Sequence, residues 1–306
     1  MARLCAARIN EESGILTRRT IALVISLLAL RLAQPTPAAE PPRRIISAAP
    51  SITEMLYDLG LGDRVVGVTS FCHYPPEVRE KPQIGSYMYP NFEAMLAMKP
   101  DLIVVLKEHG ELIKKLRTFN LPVLELQHND IAGIYDSMHE LGRRLSVEET
   151  AANRLSKIRM GLEEVRTRAA GRPKRSVLFI VGRTPGTIND LIVVGRGSFL
   201  NELISIAGGV NIMADSPSHY PKIPREELYA RRPEVIIDMG DMSDTDGVSE
   251  AHKRSVVKLW DVFPMLPVVK EKRVYAVAND IFVVPGPRVV LTAQELLKMI
   301  HPEIAK

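Results

Sequence analysis

The feature that most constrains this chain is a repeated alternation of short, continuously apolar runs with segments of helical periodicity. The apolar runs occupy residues 44–48, 65–68, 102–106, 122–126, 176–181, 235–238 and 274–277. Runs that are rich in β-branched residues and apolar at every position are typical of strands covered on both faces. The sequence therefore predicts an α/β fold with parallel-type sheets.

Helical patterns separate these runs and divide the chain into two lobes. They cover residues 51–59, 109–119, 131–145 and 289–300. A longer pattern starts at Ser146, where Ser146-Val147-Glu148-Glu149 has the form of a capping box, and apolar residues then recur at three- and four-residue steps. We predict a single connecting helix over 147–171, between an N-terminal lobe (43–146) and a C-terminal lobe (174–306).

A single helical connection has a mechanical consequence. Because a helix resists bending, the two lobes should move little relative to one another, and the cleft between them should be largely pre-formed. Ligands of α/β proteins bind at the carboxyl ends of strands and at domain interfaces. The loops that follow the strands are therefore the expected ligand site.

The first 39 residues are predicted to be an export signal. Residues 21–30 are ten apolar residues, too few to cross a bilayer core of about 30 Å as a helix. Arg18 and Arg19 precede this run, and the small residues Ala38 and Ala39 follow it as a cleavage site. We expect a mature periplasmic protein that begins near Glu40, exported by the general secretory route or by the twin-arginine route.

The net charge and the number of cysteines argue against a nucleic-acid-binding protein and against a disulfide-stabilised one. Beyond residue 39 the net charge is only +1, so nucleic acid is not an expected partner. Cys5 precedes the apolar run, which leaves Cys72 alone in the mature chain and allows no internal disulfide. Cys72 reads as a small buried hydrophobe or, alternatively, as a reactive or ligating thiol. The histidines are scattered without metal-ligand spacing, so no enzyme class emerges.

Aromatic residues make up only 5% of the chain, yet several fall in loops next to the predicted strands. They are Phe71, Tyr74, Tyr87, Tyr89 and Tyr220. Flat rings offer a large contact area at a low entropy cost, which suits a bulky and partly apolar ligand. We expect these rings to line the cleft.

Several motifs along the whole chain point to one family. They lie at 51–54, 65–77, 91–93, 99–102, 208–212, 224–227, 232–236 and 286–288. Together they resemble the helical-backbone (class III) periplasmic substrate-binding proteins of ABC importers, and in particular the cobalamin-binding branch of that family. The resemblance covers essentially all of 43–304.

The resemblance implies a binding protein, not an enzyme, that captures a metal chelate. Cobalamin or another corrinoid is the favoured ligand, with a ferric siderophore and then haem as alternatives. The protein would be a monomer that delivers the chelate to an ABC permease dimer with a cytoplasmic ATPase. It would hold no cofactor of its own, and the metal would arrive with the ligand.

The resemblance also implies roles for individual residues. Ligand-lining positions fall on Phe71, Tyr87, Tyr220 and Asp280. The two acidic residues that dock on arginines of the permease fall on Glu93 and Glu226. Cys72 could be a soft donor to the metal of the ligand, and an exported enzyme with Cys72 and His73 as a reactive pair is the competing hypothesis.

Overall fold

The computed structural model describes residues 40–240 and 249–304. The predicted export signal, 1–39, lies outside the described residues. Within the described part of the chain, no helix is both long and apolar enough to cross a membrane.

The N-terminal lobe contains one parallel sheet with helices on both faces. Its strands are β1 (Ile45–Ser47), β2 (Val65–Val68), β3 (Leu102–Leu106) and β4 (Val123–Leu126), in the order β2-β1-β3-β4. Every pair in this sheet is parallel. The helices are α1 (Pro50–Asp58), α2 (Phe92–Ala97), α3 (Gly110–Thr118) and α4 (Ile131–Leu145), with short 3₁₀ helices at Gly62–Arg64 and Pro76–Glu80.

The predicted long helix is present as α5 (Glu148–Ala169), but the capping box predicted at its start is wrong. Ser146 adopts a left-handed conformation, with φ 58°, and ends α4 instead of opening α5. Val147 occupies the N-cap position of α5 and makes no side-chain cap. The two helices follow one another so closely that the residue which could cap the second is used to end the first.

The C-terminal lobe contains a mixed sheet. Its strands are β5 (Arg175–Gly182), β6 (Leu191–Val193), β7 (Gly209–Asn211), β8 (Lys222–Ile223), β9 (Val235–Asp238) and β10 (Val274–Ala276). The order is β10-β9-β5-β6-β8, and β7 also pairs with β5. The pairs of β5 with β9 and β7, and of β9 with β10, are parallel as predicted, whereas β6 pairs antiparallel with both β5 and β8.

Helices flank this second sheet and close the chain. They are α6 (Phe199–Ile206), α7 (Glu227–Arg231), α8 (Glu250–Leu259), α9 (Pro267–Lys270) and α10 (Val289–Ile300), with 3₁₀ helices at Trp260–Val262, Asp280–Phe282 and Pro302–Ile304. The last helix, α10, packs against both α5 and α6. A side chain at Gly161 of α5 would collide with Val290, so the absence of one allows this close approach.

The apolar core explains why the strands are apolar at every position. In β3, Leu102 and Val104 belong to one buried cluster, while Ile103 and Val105 belong to another on the opposite face. The first of these clusters continues through α5 into the C-terminal sheet, where it includes Phe179. One hydrophobic cluster therefore extends through both lobes.

Two hydrogen bonds from helix-start amides cross between the lobes. The Phe199 amide, at the start of α6, donates a hydrogen bond of 2.7 Å to the Asn129 carbonyl in the N-terminal lobe. The Ile131 amide, at the start of α4, donates a hydrogen bond of 3.1 Å to the Glu202 carboxylate of α6. Together with the shared cluster, these contacts link the lobes across the cleft.

Candidate ligand-binding cleft

A cleft of about 630 Å³ lies between the two lobes. Its N-terminal wall comes from residues that follow all four parallel strands. Ser51, in the first turn of α1, follows β1, and the loop residues Phe71, Glu108 and His128 follow β2, β3 and β4. The wall contributed by the C-terminal lobe includes Phe199, Tyr220, Asp280 and the segment 283–285. This is the position that the strand-end rule predicts for a ligand site.

Three of the five predicted aromatic residues line this cleft. Phe71 and Tyr220 are 56% and 44% exposed, so their rings are available to a ligand, and Tyr87 is half-buried beside them. Tyr74 and Tyr89 are not among the lining residues. Tyr74 stacks on the Arg288 guanidinium, which lies 4.0 Å from the ring centroid, and Tyr89 is 83% exposed.

Tyr87 is held in place by two neighbours from the end of β3. Its hydroxyl donates a hydrogen bond of 2.7 Å to the Glu108 carboxylate. Its ring packs edge-on against the His109 ring, with 4.8 Å between centroids. Burial, together with Glu108, raises the pKa of the Tyr87 hydroxyl, so this side chain acts as a neutral hydrogen-bond donor.

Asp280 lines the cleft, but its carboxylate is already engaged. Arg288, the residue before α10, donates two hydrogen bonds of 2.9 Å to Asp280 and also pairs with the buried Glu54 of α1. Burial raises the pKa of Glu54 to about 7, because it disfavours the carboxylate by more than the single guanidinium favours it. Asp280 is therefore one member of an inter-lobe ion cluster, defined here as Glu54, Asp280 and Arg288.

Three histidines reach the cleft, although they are scattered in the sequence. His128 is fully engaged, with its ring nitrogens 2.7 Å from the Ser51 hydroxyl and 3.1 Å from the Ser137 hydroxyl. Burial lowers the pKa of His128 to about 4, so the ring is neutral at physiological pH. The Nε2 atom of His73 lies 3.0 Å from the Ser70 carbonyl and donates to it, and His219 is exposed.

Cys72 lies in the core of the N-terminal lobe and is not among the residues that line the cleft. Its sulfur contacts the hydroxyl groups of Thr53 at 3.1 Å and Thr69 at 3.2 Å. Burial raises the pKa of the Cys72 thiol. The thiol is thus kept protonated, which is the opposite of what a nucleophile or a metal donor requires.

Glu93 and Glu226 are both exposed, and neither lines the cleft. Glu93 lies in the first turn of α2, which is capped by the Asn91 side chain. Glu226 occupies the N-cap position of α7. Glu93 and Glu226 are therefore exposed carboxylates at helix starts, one in each lobe.

A second, larger cavity of about 850 Å³ lies next to the ion cluster. Glu54 and Arg288 line it together with Tyr74 and further charged side chains, namely Asp58, Asp63, Glu77, Glu80, Lys81 and Arg154. Its wall is polar and contains none of the aromatic residues Phe71, Tyr87 and Tyr220. The smaller cleft is therefore the better candidate for a bulky, partly apolar ligand.

Sequence reasoning missed several lining residues. Glu108 and His128 lie two residues after the ends of β3 and β4, so the strand-end rule, applied to every strand, would have found them. Phe199 and Met88 carry no comparable signal, because tertiary packing alone brings them to the cleft. Among the described residues, no three His, Cys, Asp or Glu side chains are grouped so as to hold a metal ion.

Comparisons with known proteins agree with this architecture. The periplasmic binding protein family matches residues 45–280. The vitamin B12-binding protein of Yersinia pseudotuberculosis serotype O:1b (strain IP 31758) is 31% identical over 284 residues, which is 92% of this chain and 92% of that protein.

Solved structures share the same fold. The periplasmic vitamin B12-binding protein of Vibrio cholerae superimposes with a TM-score of 0.73 at 27% identity, over 87% of this chain and 99% of that one. A periplasmic haem-binding protein from Roseiflexus sp. RS-1 shares the fold with a TM-score of 0.70 at 23% identity, over 85% and 98% of the two chains. The two-lobed fold, the cleft at the strand ends and these matches show that the chain belongs to the periplasmic binding protein family.

Proposed function

We propose that this protein captures a metal chelate in the cleft between its lobes and delivers it to an ABC importer, and that the chelate is cobalamin or a related corrinoid. The main support for this proposal is the aromatic lining of the cleft. Phe71 and Tyr87 from one lobe and Tyr220 from the other line one opening. Such a surface suits a large, flat and partly apolar ligand.

The ligand class draws support from the relatives. The Yersinia and Vibrio proteins, both above 25% identity, are vitamin B12-binding proteins. A ferric siderophore or haem is the alternative ligand of the same type, since proteins named for iron or haem share the fold. An enzymatic role has less support, because the Cys72 thiol and the His73 imidazole are each engaged with other partners.

The remaining parts of the proposal concern the cell. We place the mature protein, from near Glu40, in the periplasm after removal of 1–39, and we take it to be a monomer. Glu93 and Glu226 would each dock on one subunit of the permease dimer, because a two-fold symmetric partner needs one contact from each lobe. The metal would enter the cleft as part of the chelate.

The ligand is tested by titrating the purified protein with cyanocobalamin, a ferric siderophore and haemin. The proposal expects saturable binding of cyanocobalamin with the highest affinity of the three. Tighter binding of the siderophore or of haemin would keep the transport role and replace the ligand. Failure of all three to bind at high micromolar concentration would overturn the assignment to metal chelates.

A further inference from the structure

The acidic and basic residues that line the cleft are unequal in number. Its lining includes two carboxylates, Glu108 and Asp280, and among the described residues that line it there is no lysine or arginine. His128 adds no positive charge, because burial lowers its pKa to about 4. The other two lining histidines are His73, which donates to the Ser70 carbonyl, and the exposed His219. Apart from these two imidazoles, the cleft presents apolar surface, hydrogen-bonding groups and negative charge.

The cations next to the cleft are already engaged. Arg288 is paired with Asp280 and also donates to Glu54, so its guanidinium is already engaged on both sides. Lys107, beside Glu108 in sequence, donates to the Gln127 side chain and does not line the cleft. Neither side chain offsets the charge of Glu108.

Glu108 is the less compensated of the two cleft carboxylates. Its contact in the structure is the hydrogen bond from the Tyr87 hydroxyl, and no lysine, arginine or histidine of the described residues forms an ion pair with it. Asp280, in contrast, receives two hydrogen bonds from Arg288. A charged ligand would therefore interact chiefly with Glu108.

We propose that the cleft selects its chelate by charge, accepting neutral and cationic chelates and rejecting anionic ones, and that Glu108 is the residue which sets this selection. The inference rests on the proposed function, since it concerns the same cleft. Removing an anion from water without a cationic partner is costly, and a nearby carboxylate adds repulsion. Haem, with its propionates, and tris-catecholate ferric siderophores are anions, whereas a corrinoid has an amide periphery and a cobalt centre that leaves it neutral or cationic.

The test uses two corrinoids that differ by one charge at the axial position. Aquacobalamin is a cation at slightly acidic pH, and cyanocobalamin is neutral. Glu108→Gln removes the charge but leaves an oxygen that accepts the Tyr87 hydrogen bond. Because Glu108 is exposed and water screens its charge, the change should weaken aquacobalamin binding about threefold relative to cyanocobalamin. Glu111→Gln is the matched control, because Glu111 is exposed on α3, pairs with Lys114 and does not line the cleft. The control should bind both corrinoids as the unmodified protein does.

Anionic chelates complete the test. Ferric enterobactin and haemin should bind the unmodified protein at least about a hundredfold more weakly than cyanocobalamin does, and Glu108→Lys should narrow that gap. Binding of either anion as tightly as cyanocobalamin, or an equal change for both corrinoids in Glu108→Gln, would overturn the charge selection while leaving chelate capture intact. Failure of every chelate to bind would instead overturn the proposed function, and the inference with it.

Discussion

Arg288 of the C-terminal lobe donates hydrogen bonds from two of its nitrogens to the Glu54 carboxylate of the N-terminal lobe, so an ion pair crosses the inter-lobe boundary beside the cleft. The Nε atom of Arg288 lies 3.0 Å from Glu54, and both side chains are largely buried. The same guanidinium holds Asp280, which lines the cleft. This inter-lobe ion pair thus also positions one wall of the ligand site.

Replacing Arg288 with methionine should destabilise the protein. Removal of one partner leaves Glu54 buried with no compensating cation, and breaking a buried pair in this way costs about 3 kcal/mol or more in the free energy of unfolding. Urea unfolding above pH 7 measures the change. Arg166→Met, which removes an exposed pair with Glu163 on α5, is the control and should cost less than about 1 kcal/mol. Equal effects of the two substitutions would contradict the structural role given to Arg288.

The raised pKa of Glu54 predicts a pH dependence of stability. The folded state takes up the Glu54 proton at a higher pH than the unfolded chain, so ionising this group removes stability as the pH rises from 4.5 to about 7. The free energy of unfolding falls by up to about 3 kcal/mol over this pH range, and above it the decrease stays constant. Glu54→Gln, which mimics the protonated side chain, should abolish this contribution. Unfolding curves of both proteins across the range check it, and a constant difference between them at every pH would contradict it.

His128 should act in the opposite direction. Its folded-state pKa lies below the unfolded value, so the folded protein binds the proton less readily and loses stability as the pH falls from 6.5 to about 4. The free energy of unfolding should fall by up to about 3 kcal/mol, and His128→Gln should not show this decrease. Thermal unfolding at several pH values in this window tests the effect. If the unfolding temperature of the wild type changes with pH in the same way as that of His128→Gln, burial of the imidazole has no such effect on stability.

The sequence predicts some helices and strands more accurately than others, depending on the pattern that marks each element. The strands β2, β3 and β9 and the helices α4 and α10 match their predicted bounds, because continuous apolar runs and helical periodicity report burial directly. The short strands β6, β7 and β8 were not predicted, since two or three residues are too few for a pattern to emerge. At Ser146, two helix ends compete for one residue, and local sequence does not show which of them wins.

Some features of the cleft were likewise predictable from the sequence, and others were not. Phe71, Tyr87 and Tyr220 were predicted from loop position and family resemblance, and the structure brings them to one cleft. The pairing of Arg288 with Glu54 joins residues that are 234 positions apart, and no local pattern records such a contact. The charge of the cleft likewise becomes visible only when side chains from many loops are brought together.

Docking on a permease is predicted to depend on Glu93 and Glu226 but not on the cleft. Glu93→Lys or Glu226→Lys should leave chelate affinity unchanged, because both residues are exposed and neither lines the cleft. Uptake should fall by at least about tenfold, since each change sets a lysine against arginines of the partner. Uptake assays with the cognate importer measure this.

Glu149→Lys is the control for the docking test. Glu149 is also an exposed first-turn carboxylate, on α5, so its replacement has the same effect on the helix terminus without touching either proposed docking position. The control should transport normally. Normal uptake by either Glu93→Lys or Glu226→Lys, or a tenfold loss of chelate affinity in either isolated variant, would contradict this assignment of roles.

The central claim, that the inter-lobe cleft binds a corrinoid, is tested most directly by calorimetric titration of the purified protein with cyanocobalamin. We predict one saturable site, weakened at least about tenfold by Phe71→Ala and by Tyr220→Ala because each change removes an aromatic contact surface. Tyr89→Ala is the matched control, since Tyr89 is 83% exposed outside the cleft, and it should bind as the wild type does. No binding by the wild type, or equal affinity in all four proteins, would contradict the account.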